Sequence, residues 1–241
     1  MKKVFFLITI IFVGISFFSC EDLDDKQEEP QLIIKFKFDA NQLRLNNLGQ
    51  PSSIALGNAA QSPNFNAISA HYFELAPTAF TQLGDGTVLY HAPETTEGGA
   101  VAINFDQAVI VGEGEAFLKI PLSQVAQGNY EYVRVSLSYQ DWAFALNDFP
   151  YATSGQSPVG STTVPNPIAS TSPIPVGSCV VTGKFTNNLV INGNESRDVV
   201  VTLSLSINNS FEWHEVTADG KYEPSIGENV VDMGLRGLIP S

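Results

Sequence analysis

A period of two runs through the chain. In "VVVTLSLSI", Val199, Val201, Leu203, Leu205 and Ile207 point one way while Thr202, Ser204 and Ser206 point the other. Successive side chains leave a strand on opposite sides, so this pattern predicts a strand with one buried and one wet face. "YEYVRVSLSY" repeats it, with Val133, Val135, Leu137 and Tyr139 set against Arg134, Ser136 and Ser138. "LIIKFKFD" does so again, with Ile34, Phe36 and Phe38 against Lys35 and Lys37. Alternation of this kind predicts antiparallel sheets, because parallel strands buried on both sides are apolar on both.

Further strands are expected over residues 67–75, 88–92, 100–105, 116–121 and 180–190. Turn signals separate several of them: Gly84-Asp85-Gly86, Glu97-Gly98-Gly99, Gly112-Glu113-Gly114, Gly128-Asn129 and Gly193-Asn194. No long stretch carries a helical stripe. The expected fold is all-β, an antiparallel β-sandwich, immunoglobulin-like or related, with a closed barrel as the alternative. Residues 150–177 hold six of the 14 prolines and much Ser and Thr, which predicts a loop. Were that loop a domain boundary, the piece after it would be a small β-unit without a disulfide, and such units are marginal. Residues 32–241 are therefore expected to form a single sandwich.

The N-terminus follows a different rule. Lys2 and Lys3 precede an apolar run from Val4 to Phe18, the arrangement of a secretory signal. The run is shorter than the roughly 20 residues of a spanning helix, and acid follows it instead of a basic stop-transfer cluster. Its end, Phe17-Phe18-Ser19-Cys20, resembles the lipobox of bacterial lipoproteins, although Phe17 stands where Leu is usual. The resemblance implies that residues 1–19 are removed and that Cys20 carries the lipid. Glu21, Asp22, Asp24, Asp25, Glu28 and Glu29 follow, so residues 20–31 read as an acidic flexible tether. A lipidated Cys followed by acids also resembles the export tag of lineages that display lipoproteins on the outer face of the outer membrane. The expected location is thus the outer membrane, lipid-anchored and facing the exterior, with the periplasmic face as the alternative.

Charge narrows the partners. Residues 1–19 carry only Lys2 and Lys3, so their removal takes the formal net charge from −13 to −15. A phosphate backbone needs Lys/Arg patches, which this chain lacks, so nucleic acid is not an expected partner. Lipid, not basic residues, would make the membrane contact. A glycan or an outer-membrane protein remains as a partner. With Cys20 committed to lipid, Cys179 is left alone and reads as a small buried hydrophobe.

Enzyme motifs are missing: there is no G-x-S-x-G elbow, no G-x-x-x-x-G-K-[ST], no H-E-x-x-H and no G-x-G-x-x-G opening a helix. The expectation is a non-catalytic binding or accessory module without a fixed cofactor. Two chemistries compete for it in "FEWHEVTADGKYEPSIGENVVDMGLRGLIP". Sugar recognition needs an aromatic face beside polar groups, which nominates Trp142, Trp213 and Tyr222; core packing of Phe211 and Trp213 is the plainer alternative. A calcium site needs oxygen ligands from loop carboxylates, which nominates Asp219 and Glu223 with His214 beside them. A third possibility is pairing through an exposed edge strand, as in surface filaments and adhesins.

The remaining histidines, His71 and His91, admit a geometric test. A two-residue turn at Asp85-Gly86 would set Gly84 opposite Thr87 and Phe80 opposite His91. His71 would then lie nine residues further along, roughly 30 Å away at about 3.3 Å per residue. The two could share a metal only if Pro77 ended the pairing. His71 alternates with Phe73 and Leu75 and reads otherwise as a partly buried histidine.

The succession "LIIKFKF", "ISAHYFEL", "GDGTVLYH" and "FLKIPLSQVAQGNYEYVRVSLSYQD" resembles the methanobactin-associated, copper-binding periplasmic protein family over residues 32–141. The resemblance implies copper binding and transfers no ligand to a position of this chain, which reads "VRVSLSYQD" where that family tends to carry glycine.

Overall fold

The computed structural model describes residues 29–46, 50–97, 99, 101–145, 152–158, 179–232, 235 and 237–241. Residues 1–28, with the signal, Cys20 and most of the tether, lie outside the described residues. In chain order the first seven strands are β1 (Gln31–Asp39), β2 (Asn58–Gln61), β3 (Asn64–Ala76), β4 (Thr87–His91), β5 (Glu94–Thr95), β6 (Ala102–Ile103) and β7 (Ala116–Pro121). The remainder are β8 (Gly128–Ala145), β9 (Ala152–Pro158), β10 (Cys179–Ile191), β11 (Val199–Ser206), β12 (Phe211–His214), β13 (Asn229–Asp232) and β14 (Leu238–Pro240). Among the described residues the only helices are three single turns of 3₁₀.

Two sheets form an all-β sandwich. One runs β14-β11-β1-β7 and the other β10-β8-β3-β4, with β9 added to β8. Among the described residues neither closes on itself, so the architecture is a sandwich and not a barrel. Alternation sets what faces inward. Leu32, Ile34 and Phe36 of β1 and Leu203 and Leu205 of β11 are fully buried, and they meet Phe73, Leu75, Val133 and Val135 of the opposing sheet in one core. Each such aliphatic side chain contributes about 1.5–3 kcal/mol when buried. At one seam the two sheets approach so closely that only glycine fits: a Cβ on Gly183 of β10 would overlap Leu238 and Pro240 of β14.

One pairing departs from the antiparallel expectation. β1 and β11 run parallel, from Leu32 opposite Val199 to Asp39 opposite Ser206; the other strand pairs are antiparallel. Parallel strands lose their alternation where helices cover both faces. Here the outer face meets water at Lys35, Lys37, Thr202 and Ser204, so the alternation persists in a parallel pair. A second departure concerns the Pro-rich stretch. Residues 152–158, expected in a loop, form β9 against β8, from Tyr139 opposite Pro158 to Ala145 opposite Ala152. Backbone pairing to the long β8, not side-chain alternation, makes that strand, and its proline sits at its last position, where a missing N–H is tolerated. Residues 159–178 lie outside the described residues.

A third sheet, β13-β12-β2, sits beside the sandwich. Phe211 and Trp213 of β12 pack against Ala59, Phe65 and Tyr222, and Phe65 also lies 5.3 Å from Phe38 between ring centroids, which ties this sheet to β1. Between them in sequence, Glu212 forms a buried ion pair with Arg44 and accepts from Asn58 Nδ2 at 2.6 Å and from the Ala55 N–H at 3.3 Å. Burial alone pushes this carboxyl up, but the Asn58 amide, the Arg44 guanidinium and the Ala55 N–H together hold it below its ordinary 4.5.

A depressed folded-state value has a definite sign: the native carboxylate holds its proton less well than the unfolded one, so the stability it contributes is complete above about pH 4.5 and is lost as pH falls through the folded-state value. Glu212→Gln leaves Arg44 buried without its counter-charge, and is expected to lower stability at neutral pH by about 3–5 kcal/mol. Thermal midpoints measured from pH 7 to pH 3 should fall less steeply for the variant than for the wild type; parallel curves would show that the pair does not set acid stability.

Candidate metal centre

Three side chains converge at one edge of the second sheet. In an unbroken β3, residues 70 to 73 would alternate between faces, but the register slips. Ala70 lies opposite Leu137 and Tyr72 opposite Ser136, so β3 advances two residues while β8 advances one. His71 is the extra residue of this bulge, and a bulge re-aims its side chain. On the other flank Tyr72 lies opposite His91 at the end of β4, and the Ala92 N–H donates to the His71 carbonyl at 2.7 Å. Pro93 then ends the strand, and the short β5–β6 hairpin brings Glu94 back over both imidazoles.

The two-residue hairpin expected at Asp85-Gly86 does not form. β3 ends at Ala76, directly before Pro77, and β4 starts at Thr87, so residues 77–86 make the connection. The separation of roughly 30 Å expected from a tight hairpin is replaced by a ring-centroid distance of 4.9 Å between His71 and His91. Buried Glu74 causes the change by gathering the loop: its carboxylate accepts from the Gly84 N–H at 3.2 Å and the Gly86 N–H at 2.6 Å.

Glu94 Oε1 lies 3.1 Å from His71 Nε2 and 3.0 Å from His91 Nε2, and the three atoms are mutually within 4.8 Å. A tetrahedral ion with bonds of 2.0–2.1 Å separates its ligand atoms by about 3.3 Å, so small side-chain shifts suffice to seat a metal among them. A carboxylate oxygen only accepts, so hydrogen bonding of both rings to Glu94 Oε1 requires the N–H at Nε2 of each. His71 is fully buried, while the His91 and Glu94 side chains keep 41% and 28% exposure, leaving one side of the trio open to solvent. Burial, reinforced by the neighbouring His91 and opposed by Glu94, lowers the His71 pKa, so the His71 ring is neutral at pH 7. The Tyr72 ring stands edge-on to His91 at 5.7 Å. Burial, with the Glu74 charge adding to it, pushes its hydroxyl up to about 12, so Tyr72 offers the site a ring wall and not a phenolate.

Two imidazoles and one carboxylate suit a borderline first-row ion such as zinc or copper(II), and do not suit calcium, which takes six to eight oxygens. The copper implied by the family resemblance therefore fits the donor set. His71 Nδ1 is buried without a hydrogen-bond partner. Metal-bound histidines ordinarily donate that second N–H, and lacking such a partner costs about 10–100-fold in affinity.

The residues nominated from sequence fall elsewhere. Among the described residues, only His71, His91 and Glu94 group three metal-capable side chains this closely; His214, Asp219 and Glu223 do not. The carboxylates of their loop hold backbone: Glu228 accepts from the Val216 and Glu223 N–H groups at 3.1 and 2.6 Å, and Asp219 accepts from the Lys221 N–H at 3.0 Å. Trp213 is 1% exposed, packed against Phe211 and Tyr222 at ring-centroid distances of 5.6 and 5.7 Å, so it is a core residue with no free face for a sugar. Tyr222 is half-buried against it. The backbone of Trp142 is opposite Phe65 in the second sheet, and its side chain lies outside the described residues, as does that of Cys179. Glu94 went unnoticed in the sequence. Its signal is local: a histidine at a strand end, a proline two residues on, and a carboxylate at i+3.

Comparison of the chain with protein-family models, with curated proteins and with solved structures gave no match, so the geometry carries the functional reading. The placement of Trp213 has a direct check. Trp213→Ala is expected to destabilise the protein by about 3–5 kcal/mol in denaturant titration, whereas a ring on the surface would leave the midpoint unchanged.

Proposed function

We propose that the chain is a lipid-anchored cell-envelope module that binds a first-row transition metal through His71, His91 and Glu94. The observation that carries the reading is the convergence of two imidazole nitrogens on one carboxylate oxygen at 3.0 and 3.1 Å. The signal-like N-terminus ending in Phe17-Phe18-Ser19-Cys20 supports the envelope location and the anchor, and the acids after Cys20 support display on the outer face of the outer membrane. The open side and the unpartnered His71 Nδ1 favour exchangeable metal over a permanent structural ion. The role is metal handling, with zinc or copper(II) as the ions of matching chemistry.

Equilibrium dialysis of the purified full-length protein against zinc and against copper(II) should retain one ion per chain, and binding should raise the thermal midpoint. His91→Ala and Glu94→Ala each remove a ligand and should weaken binding by more than the 10–100-fold of an outer-shell partner. Both side chains are partly exposed, so the variants remain folded. Retention of neither ion, or unchanged retention by both variants, sinks the metal reading. The anchor is tested apart from the metal: Cys20→Ala should move the protein from the membrane fraction to the soluble one with an unchanged thermal midpoint, and continued membrane association would refute lipidation.

A further inference from the structure

One end of the sandwich collects the start of β1 and three connections. β1 starts at Gln31 opposite Pro121, the last residue of β7, and the Leu122 N–H donates to the Pro30 carbonyl at 2.8 Å. β8 starts at Gly128 opposite Ile191, the last residue of β10, and β11 starts at Val199 opposite Leu32. β3 closes and β4 opens at this end too, with Leu75 opposite Thr87. Thr87 Oγ1 lies 2.8 Å from the Tyr130 hydroxyl, which donates to the Ala126 carbonyl at 2.7 Å. Residues 77–86, 122–127 and 192–198 therefore share the end at which the N-terminal segment arrives.

The first of these connections is a fixed platform. The buried carboxylate of Glu74 holds the Gly84 and Gly86 N–H groups, Arg134 donates to the Thr81 carbonyl, and the Phe80 N–H donates to Thr78 Oγ1 at 3.2 Å. Gly86 is required there, because a Cβ would overlap the Leu75 carbonyl and the Glu74 side chain. On this platform the Phe80 ring is 94% exposed. Of the connections at this end, residues 77–86 carry only Asp85 and residues 121–128 carry no charge, while residues 192–198 carry Glu195, Arg197 and Asp198.

We propose that this end docks on a lipid bilayer, with Phe80 of the 77–86 loop seated among the headgroups. The proposal rests on the lipid-anchor reading. Ten residues separate Cys20 from Gln31, and they span at most roughly 35 Å, so an anchored Cys20 holds the Gln31 end near the bilayer. An exposed aromatic ring on a loop with a single charge suits that zone. The metal centre lies further along β3 and at the far end of β4, and stays clear of the membrane when the domain sits this way.

The test uses the full-length protein reconstituted in phosphatidylcholine vesicles with ordinary or brominated acyl chains. Phe80→Trp adds one fluorophore to the background of Trp142 and Trp213, which the wild type supplies as a control. The expected result is that the added emission shifts to the blue and is lost in brominated vesicles. Added emission that keeps its water-exposed wavelength and resists quenching, in protein whose Cys20 peptide carries diacylglycerol by mass spectrometry, overturns the docking proposal and leaves the anchor standing; a loop that serves a protein partner gives this outcome. If Cys20 carries no lipid, the anchor reading fails. The same variant mixed with vesicles then still supports docking if it is quenched and overturns it if it is not.

Discussion

The parallel pair of β1 with β11 at the centre of the first sheet is the constraint on which the rest of the molecule depends. Their inward residues form the floor of the core, and their common direction means that both strands leave the same end of the sandwich. A parallel pair cannot be closed by a hairpin. The chain between them must cross, and it does so by building the whole second sheet and returning through β10. The segment before β1, the turn before β8 and the connection after β10 are thereby forced to one end. The third sheet, whose β2 follows β1 and whose β12 and β13 follow β11, is forced towards the other, where Phe38 meets Phe65.

The metal centre depends on a local exception within that frame. A strand of strict alternation cannot present Ala70, His71, Tyr72 and Phe73 as the structure does, with Ala70 and Phe73 in the core and His71 turned to the edge beside His91. The inserted residue does this without breaking the strand: β3 regains its pairing at Tyr72 and holds it to Ala76. Pairing energy on both sides stabilises the bulge, so the site is built on one of the most buried strands of the domain, while two of its three donors stay at the rim. One deep, neutral donor beside two accessible ones would give the proposed metal a stable seat and an open approach.

What was legible in the sequence follows the same division. β1, β7, β8, β10 and β11 could be read because each has one wet face, and a wet face writes its period into the chain. β3 was also found, and His71 was weighed with His91 as a pair that could meet only if Pro77 ended the pairing, as it does, but the bulge that re-aims His71 was not, because a one-residue bulge changes no composition and no period over so short a stretch. The β3–β4 register was missed for a related reason. The local turn falls at Leu83-Gly84 and not at Asp85-Gly86, with the Asp85 N–H donating to the Gln82 carbonyl at 3.1 Å and Gly84 at φ 94°, and Glu74 fixes it by binding the Gly84 and Gly86 N–H groups from the neighbouring strand. Trp213 and the acids around it looked like a site because side chains that fill a small core and staple a loop have the same composition as a binding surface. Only burial separates the two.

The buried charges make a final distinction between scaffold and site. Glu212 is paired with Arg44, Glu74 has Arg134 and two loop N–H groups, and Glu228 has two backbone donors. Each of these carboxylates is satisfied by protein, although Arg44 Nε and Nη1 and Arg134 Nη1 beside them are buried without a hydrogen-bond partner. His71 shares a carboxylate oxygen with a second histidine through one ring nitrogen, and its Nδ1, like Arg44 Nε and Trp213 Nε1, is buried without a hydrogen-bond partner. What marks the trio as a candidate site is the convergence of two imidazoles on one carboxylate oxygen, and the proposed transition-metal cation would answer to both the charge and the spacing of the three donors.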